Sequence, residues 1–289
     1  MRMKNCRKGF FFSVIAISFM LLLMALAVTM SNEYWEAERV VAKPQPLTYS
    51  TATLENIGKQ FADVVLPDAR VRATNTSLMI RVADSSPRSG IGGDLNTLKS
   101  YVEGDLADSL HADINVNISN VKNKMLNATI ADNFNYSNHN DSVYFIPLIN
   151  NTNTDATHYS INFTIDDYRN TVDDFSYTPA GDIRVTMLYT DKNGTIQTFG
   201  NVSSTAPNSF SITYGVNETK KIEITLGEVA IQDNQYDGAL LMNMTNASVD
   251  FAFEVNLSQQ STNSSNLIVF PIPINYSQGG IFKEMNASR

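Results

Sequence analysis

The chain has 289 residues, with 29 acidic side chains against 21 basic ones and a pI near 4.9. Four of the bases lie before residue 10, which leaves 17 beside all 29 acids in residues 31–289, a net charge of −12 there. That balance disfavours nucleic acid and anionic membrane surfaces as partners, since both demand basic patches.

The N-terminus reads Met-Arg-Met-Lys-Asn-Cys-Arg-Lys-Gly, and no acid appears before Glu33. From Phe10 to Met30 come 21 uncharged residues, enough at about 1.5 Å per helical residue to cross a hydrocarbon core of about 30 Å. Basic flanks stay in the cytoplasm, so residues 1–9 form a cytoplasmic stub, residues 10–30 a transmembrane helix in the lipid bilayer, and the body lies outside. Tyr34 and Trp35 sit where an aromatic belt marks the outer interface.

Three fates of this segment are open. A retained anchor keeps Met1. A secretory signal is cut after Ala27, because Ala25-Leu26-Ala27 has the small-x-small pattern of a signal peptidase site. The third fate comes from a resemblance: Arg7-Lys8-Gly9-Phe10, with the apolar run starting at once, resembles the prepilin-type signal of archaeal type IV pilins and related surface proteins. The resemblance covers some twenty residues and implies a cut between Gly9 and Phe10, with Phe10–Met30 packed in a filament core. The fifth residue after that cut is Val14, where the bacterial form has Glu.

Pro44 and Pro46 then mark a juxtamembrane stalk over residues 31–50. Leu54, Ile57, Phe61 and Val64/Val65 share one face of a helix that Pro67 ends. A strand over Ser77–Val82 leads into a Ser-Pro-Arg-Ser-Gly-Ile-Gly-Gly loop. Leu95, Leu98, Val102, Leu106 and Leu110 form the stripe of a second helix, weakened at Gly104. The Asn-rich residues 113–140 read as an edge strand and a long exposed loop.

From about residue 142 the period becomes two. Tyr159, Ile161, Phe163 and Ile165 alternate with polar residues. Ile183, Val185, Met187 and Tyr189 run into Asp191-Lys192-Asn193-Gly194, a hairpin turn, and Ile196–Phe199 return. Phe210, Ile212 and Tyr214 repeat the pattern, as do Ile222, Ile224 and Leu226, then Val249, Phe251, Phe253 and Val255. Leu267–Ile274 is apolar, yet Pro271 and Pro273 confine it to a sheet edge. The fold class is α+β: an α/β membrane-proximal part over 51–140 and an antiparallel β-sandwich over 141–289.

Sixteen Asn-x-Ser/Thr sequons cross this body, at Asn75, Asn117, Asn127, Asn135, Asn140, Asn150, Asn162, Asn193, Asn201, Asn217, Asn243, Asn246, Asn256, Asn263, Asn275 and Asn286. With 31 Asn and 50 Ser plus Thr, chance gives about five, so the motif for solvent-facing glycan acceptors is in excess. Asn162 and Asn256 fall on the polar face of their strands. The sole cysteine is Cys6, so the body forms no internal disulfide; a sequon-rich, disulfide-free exterior points toward an archaeal surface protein.

Chemistry is sparse. Gly90-x-Gly92-Gly93 lacks the Lys-Ser/Thr of a phosphate loop and reads as a flexible turn. Asp233-x-Gln235-x-Asp237-Gly238 opens like a calcium loop, but Met244 stands where the bidentate Glu belongs, which leaves at most a loose cation site. Asp166-Asp167 and Asp173-Asp174 read as a solvated loop with a weak claim on a cation. His111, His139 and His158 have no metal-ligand spacing. Ser119 and Lys122 match Ser-x-x-Lys without any supporting motif. No catalytic residue, metal or cofactor is expected. The body is expected to serve a structural or adhesive role in the envelope, with envelope or pilus proteins as partners; an extracellular binding module or weak hydrolase, its site in the sandwich loops, is the rival.

Overall fold

The computed structural model describes residues 44–73, 77–88, 91–122, 125–130, 134–139, 141–147, 156–231, 233–258 and 268–289. The span expected over residues 10–30 lies outside these. Among the described residues no helix is long and apolar enough to cross a membrane. The chain divides into two units, 1–53 and 54–289. Of the first, residues 44–53 are described and are helical.

Helix α1 (Pro44–Val65) buries Leu54, Ile57, Phe61 and Val65. Residues 44–50, expected as stalk, are its first residues. Pro44 and Pro46 fall in the first turn, where the missing N–H has no intrahelical partner to lose, so they start a helix here and do not break one. Helix α2 (Ile91–Tyr101) continues through a π-helical turn (Val102–Leu106) into α3 (Ala107–Leu110). The stripe from Leu98 to Leu110 steps by four, and four α-helical residues overshoot a full turn by about 40°. The wider π turn around Gly104 takes out that drift, so Val102 and Ala107 both reach the core.

Sixteen strands among the described residues form two sheets. The first has the order β1 (Arg70–Ala73), β2 (Leu78–Ser86), β14 (Val249–Leu257), β7 (Ala156–Thr164), β9 (Ile183–Asp191) and β10 (Gly194–Val202). The second runs β16 (Ile281–Ser288), β15 (Ile268–Gln278), β4 (Met125–Ile130), β5 (Phe134–His139), β6 (Ser142–Pro147), β13 (Asn234–Thr245), β12 (Lys220–Ile231), β11 (Asn208–Tyr214) and β8 (Arg169–Asp173), with β3 (Asp113–Val116) pairing β15. All pairs are antiparallel except β7 and β9, whose parallel register requires a crossover, supplied by β8 in the other sheet.

The period-two runs place their apolar sets inward, as the alternation predicts: Tyr159, Ile161 and Phe163 of β7, Val185 and Met187 of β9, and Phe251, Phe253 and Val255 of β14 are buried. The sheets meet through aromatic contacts. Phe253 lies 5.5 Å from Phe145 and 5.9 Å from Tyr136, and Phe210 lies 5.9 Å from Tyr189. Such tilted pairs add to the area they bury.

Three expectations need correction. Residues 113–140 are not mainly an exposed loop. They contribute β3, the short helix α4 (Ser119–Lys122), β4 and β5, with Leu126, Ile130, Phe134 and Tyr136 in the core. Polar composition hid them, because β5 turns Asn138 inward as well as its aromatics. Nor is β15 an edge strand. Its ladder to β16 breaks between Val269 and Pro273, and its other side changes partner there from β4 to β3. Pro271 falls in that gap, where no ladder donor is missed, and Pro273 closes it opposite Asn286. Finally, the boundary expected after residue 140 falls inside the β5–β6 hairpin, and strands from both sides of it share both sheets.

Candidate functional site

The sequon asparagines are the first candidates. Asn75, Asn140, Asn150 and Asn263 lie outside the described residues; the other twelve are described. Asn117, Asn127, Asn162, Asn193, Asn217, Asn246 and Asn286 are exposed, and Asn135, Asn201, Asn243, Asn256 and Asn275 are half-buried. None is in the core. The two buried asparagines among the described residues, Asn138 and Asn208, belong to no sequon. Asn275 stands apart, since its Oδ1 is enclosed without a hydrogen-bond partner.

The second candidate is one end of the sandwich, where the turns after β7, β9, β11 and β13 gather. Backbone bonds fix two of them: Ile165 N–H donates to Thr190 O at 2.9 Å and Lys192 N–H to Asp167 O at 3.1 Å. Lys220 Nζ donates to Asp167 Oδ2 at 2.9 Å and stands 5.6 Å above the Tyr214 ring. Lys192 Nζ sits 3.2 Å from Asp166 Oδ1 and 5.9 Å above the Tyr168 ring. Arg169 reaches Asp191 at 3.4 Å and donates to the Tyr189 hydroxyl at 2.8 Å.

These contacts set the local electrostatics. The hydrogen bond from Lys220 holds the Asp167 carboxyl below the usual range, helped by the Tyr168 N–H. Burial pushes the Tyr214 hydroxyl up to about 12, with the Asp167 charge adding to it. The turn carries unusual backbone too: Asn217, Glu218 and Asn246 have φ of 57°, 55° and 51°, a region that asparagine tolerates better than most residues.

Two open grooves flank Lys220. One of about 450 Å³ is lined by Tyr168, Asn170, Val216 and Thr219; the other, about 710 Å³, by Asp141, Ser142 and residues 243–248. Asn243 and Asn246, both sequon positions, lie in the wall of the second, and Asn217 is in the turn beside the first. Sugars there would occupy the space that a ligand needs.

The expected cation positions are accounted for otherwise. Asp166 and Asp167 face lysines, Asp173 accepts from Ser211 at 3.4 Å, and Asp174 accepts from the Phe175 N–H at 2.8 Å. Asp233, Gln235 and Asp237 are exposed around the β12–β13 turn, and Gly238, with φ of 63°, lies within β13 where its register against β12 shifts. Among the described residues no group of three or more His, Cys, Asp or Glu could hold a metal ion.

The histidines lie apart: His111 ends α3 in a left-handed conformation, His139 stacks on Tyr144 at 5.9 Å, and His158 meets Thr186 at 3.2 Å. Ser119 starts α4, its N–H and hydroxyl both donating to Asn117 Oδ1. Gly92 and Gly93 lie in the first turn of α2, and Gly90 is outside the described residues.

A buried polar network was not foreseen. Asp84 on β2 accepts from Arg88 Nε at 3.0 Å, from the Tyr136 hydroxyl at 2.7 Å, from Asn138 Nδ2 at 2.9 Å and from the Ser85 N–H at 2.9 Å. Arg88 also donates to Val65 O at the end of α1. The Asp84 and Arg88 side chains are 7% and 4% exposed, so no substrate reaches them, and the network reads as a tie between sheets. The motif that foreshadows it, an Asp four residues before an Arg, is too common to single out.

No family model, curated protein or solved structure matches this chain.

Proposed function

We propose that the chain is a membrane-anchored, N-glycosylated extracellular surface protein with a structural or adhesive role in the cell envelope. The observation that carries this reading is the sorting of asparagines. Eight of the twelve described sequon asparagines lie in strands, where random placement turns about half of the side chains inward. None is buried, although Asn138 and Asn208 are, so asparagine as such is not kept out of the interior. Net charge, the apolar run before residue 31 and the absence of cysteine after Cys6 support the same location.

The rival, a ligand-binding module with its site in the sandwich loops, fares worse. The loop end holds sequons at Asn193, Asn217, Asn243 and Asn246, and its basic side chains Arg169, Lys192 and Lys220 are each paired with an aspartate. Glycopeptide mass spectrometry of protein taken from its own membrane fraction tests the reading. Sugar is expected on most of the twelve described sites; bare asparagine at all of them would overturn it. The same digest reads the mature N-terminus, with Met1 for a plain anchor, Phe10 for prepilin processing and Val28 for a released body.

A further inference from the structure

Basic side chains are scarce on this body, and most of them are spoken for. Arg88, Arg169, Arg289, Lys99, Lys192, Lys220 and Lys221 each lie within 3.4 Å of a carboxylate. Arg70, Arg72 and Arg81 do not. They line one groove of about 480 Å³ with Met79, Glu254 and Arg289. None of the three makes an ion pair or side-chain hydrogen bond among the described residues, and all three are exposed.

Strand pairing forces them together. Arg70 lies directly opposite Arg81, and Arg72 opposite Met79. Like charges facing across a ladder destabilise the pair, so folding stability gives no reason for the arrangement. A charged edge strand that discourages aggregation accounts for Arg70 and Arg72 on β1. It does not account for Arg81, which is on β2 inside the sheet, between β1 and β14.

Beyond the groove the next positive side chain in this row is Arg184. Met79 is level with Asn256, Asn256 with His158, and His158 with Arg184, another exposed arginine without an ion pair among the described residues. At about 4.8 Å per strand the distance from Arg72 to Arg184 is about 19 Å. Glu254, half-buried between Arg81 and Ser160, is the one acidic side chain lining the groove.

We infer that this groove, lined by no sequon asparagine, binds an acidic polysaccharide, with its carboxylate or sulfate groups seated on Arg70, Arg72 and Arg81 and its hydroxyls donating to Glu254. Guanidinium forks suit such groups, taking two oxygens each. The ligand is a thin chain: a flat anionic membrane, or a second copy of this body, would bring its charge against the −12 of the whole surface. Single-stranded nucleic acid is disfavoured because no aromatic side chain lines the groove for bases to stack on. By register the tract lies toward the opposite end of the first sheet from the loop cluster. The inference rests on the surface-protein reading only for where such a polymer is met; binding by purified protein succeeds or fails without it.

The test uses the full chain in phosphatidylcholine nanodiscs, titrated with polygalacturonate, dextran sulfate, neutral dextran, oligothymidylate and phosphatidylglycerol vesicles. Saturable binding of at least one acidic polymer is expected, weakened roughly tenfold or more between about 50 and 300 mM salt. R70Q/R81Q should lose roughly tenfold in affinity, whereas K59Q/K221Q, which removes the same charge elsewhere, should stay within about twofold. On wild-type protein the bound polymer should also shield Arg70, Arg72 and Arg81 from phenylglyoxal, a readout that survives if a variant fails to fold. No polymer binding, equal loss in both double variants, equal binding of neutral dextran, unshielded arginines, or preference for oligothymidylate or vesicles would each overturn the inference.

Discussion

The Tyr136 hydroxyl donates to Asp84 Oδ2 at 2.7 Å, a bond that joins β5 of one sheet to β2 of the other. Both residues are almost fully enclosed. Burial holds the tyrosine well above its ordinary pKa, and the Asp84 charge adds to that, so the hydroxyl keeps its proton and stays a donor. Asp84 is saturated with donors, the condition under which a buried carboxylate is tolerable.

Removing the hydroxyl should therefore cost more than an ordinary hydrogen bond. Tyr136→Phe is expected to lower unfolding free energy by about 1.5–3 kcal/mol, the range for bonds to a charged group. Asp84→Ala should cost about 3–5 kcal/mol, because it leaves Arg88 buried and uncompensated. Urea unfolding of both variants checks this. A loss below about 0.5 kcal/mol for either would mean that the network does not tie the sheets.

Register gives a sharper contrast on β14. Phe253 is in the core against Tyr136 and Phe145, whereas Asn256 is half-buried on the outer face with Nδ2 3.3 Å from His158 Nδ1. Phe253→Ala should cost roughly 3–5 kcal/mol. Asn256→Gln should stay within about ±0.5 kcal/mol, as for surface changes. Exchange of the two outcomes in equilibrium unfolding would place the strand one residue out of register.

His158 supplies a pH prediction. Partial burial lowers its pKa, the Arg184 charge lowers it further, and Glu254 opposes both. The unfolded chain then takes up the proton first as pH falls below the ordinary histidine value of about 6.5. Its contribution to stability is present above that value and is lost as pH falls through the folded midpoint. In a histidine NMR titration, His158 should have a midpoint below 6.5, and Arg184→Gln should raise it. A midpoint at or above 6.5 in the native protein would contradict the assignment.

What could be read from the chain follows from physics that is local. Alternation found β7, β9, β11, β12 and β14 because each turns one apolar face inward, and Asp191–Gly194 marked its hairpin by turn chemistry. Residues 125–139 escaped notice because β5 buries Asn138 beside Phe134 and Tyr136, and nothing in a polar run says that its partner will be an aspartate 54 residues earlier. Sequons were legible at once, while their sorting to the surface needed the register. The arginine tract was invisible for the same reason: Arg70 and Arg81 are eleven residues apart, and only the β1–β2 hairpin makes them neighbours.

Gly227 carries the last prediction. It has φ of 97° at the bulge where β12 changes register against β13. A Cβ there would meet the carbonyl oxygens of Ser203 and Ala206 at 2.3 Å. Both are backbone atoms of the turn before β11, and both accept from Asn208 Nδ2, so neither moves cheaply. Gly194 also has positive φ, 120°, but nothing lies within 4 Å of its missing Cβ. Both alanine variants carry backbone strain of about 1–2 kcal/mol. Only Gly227→Ala adds the clash, and it should lose at least about 2 kcal/mol more than Gly194→Ala, in the range where a special backbone position fails. Equal losses in denaturant unfolding would mean that the 203–206 turn does not pack against β12 at this bulge.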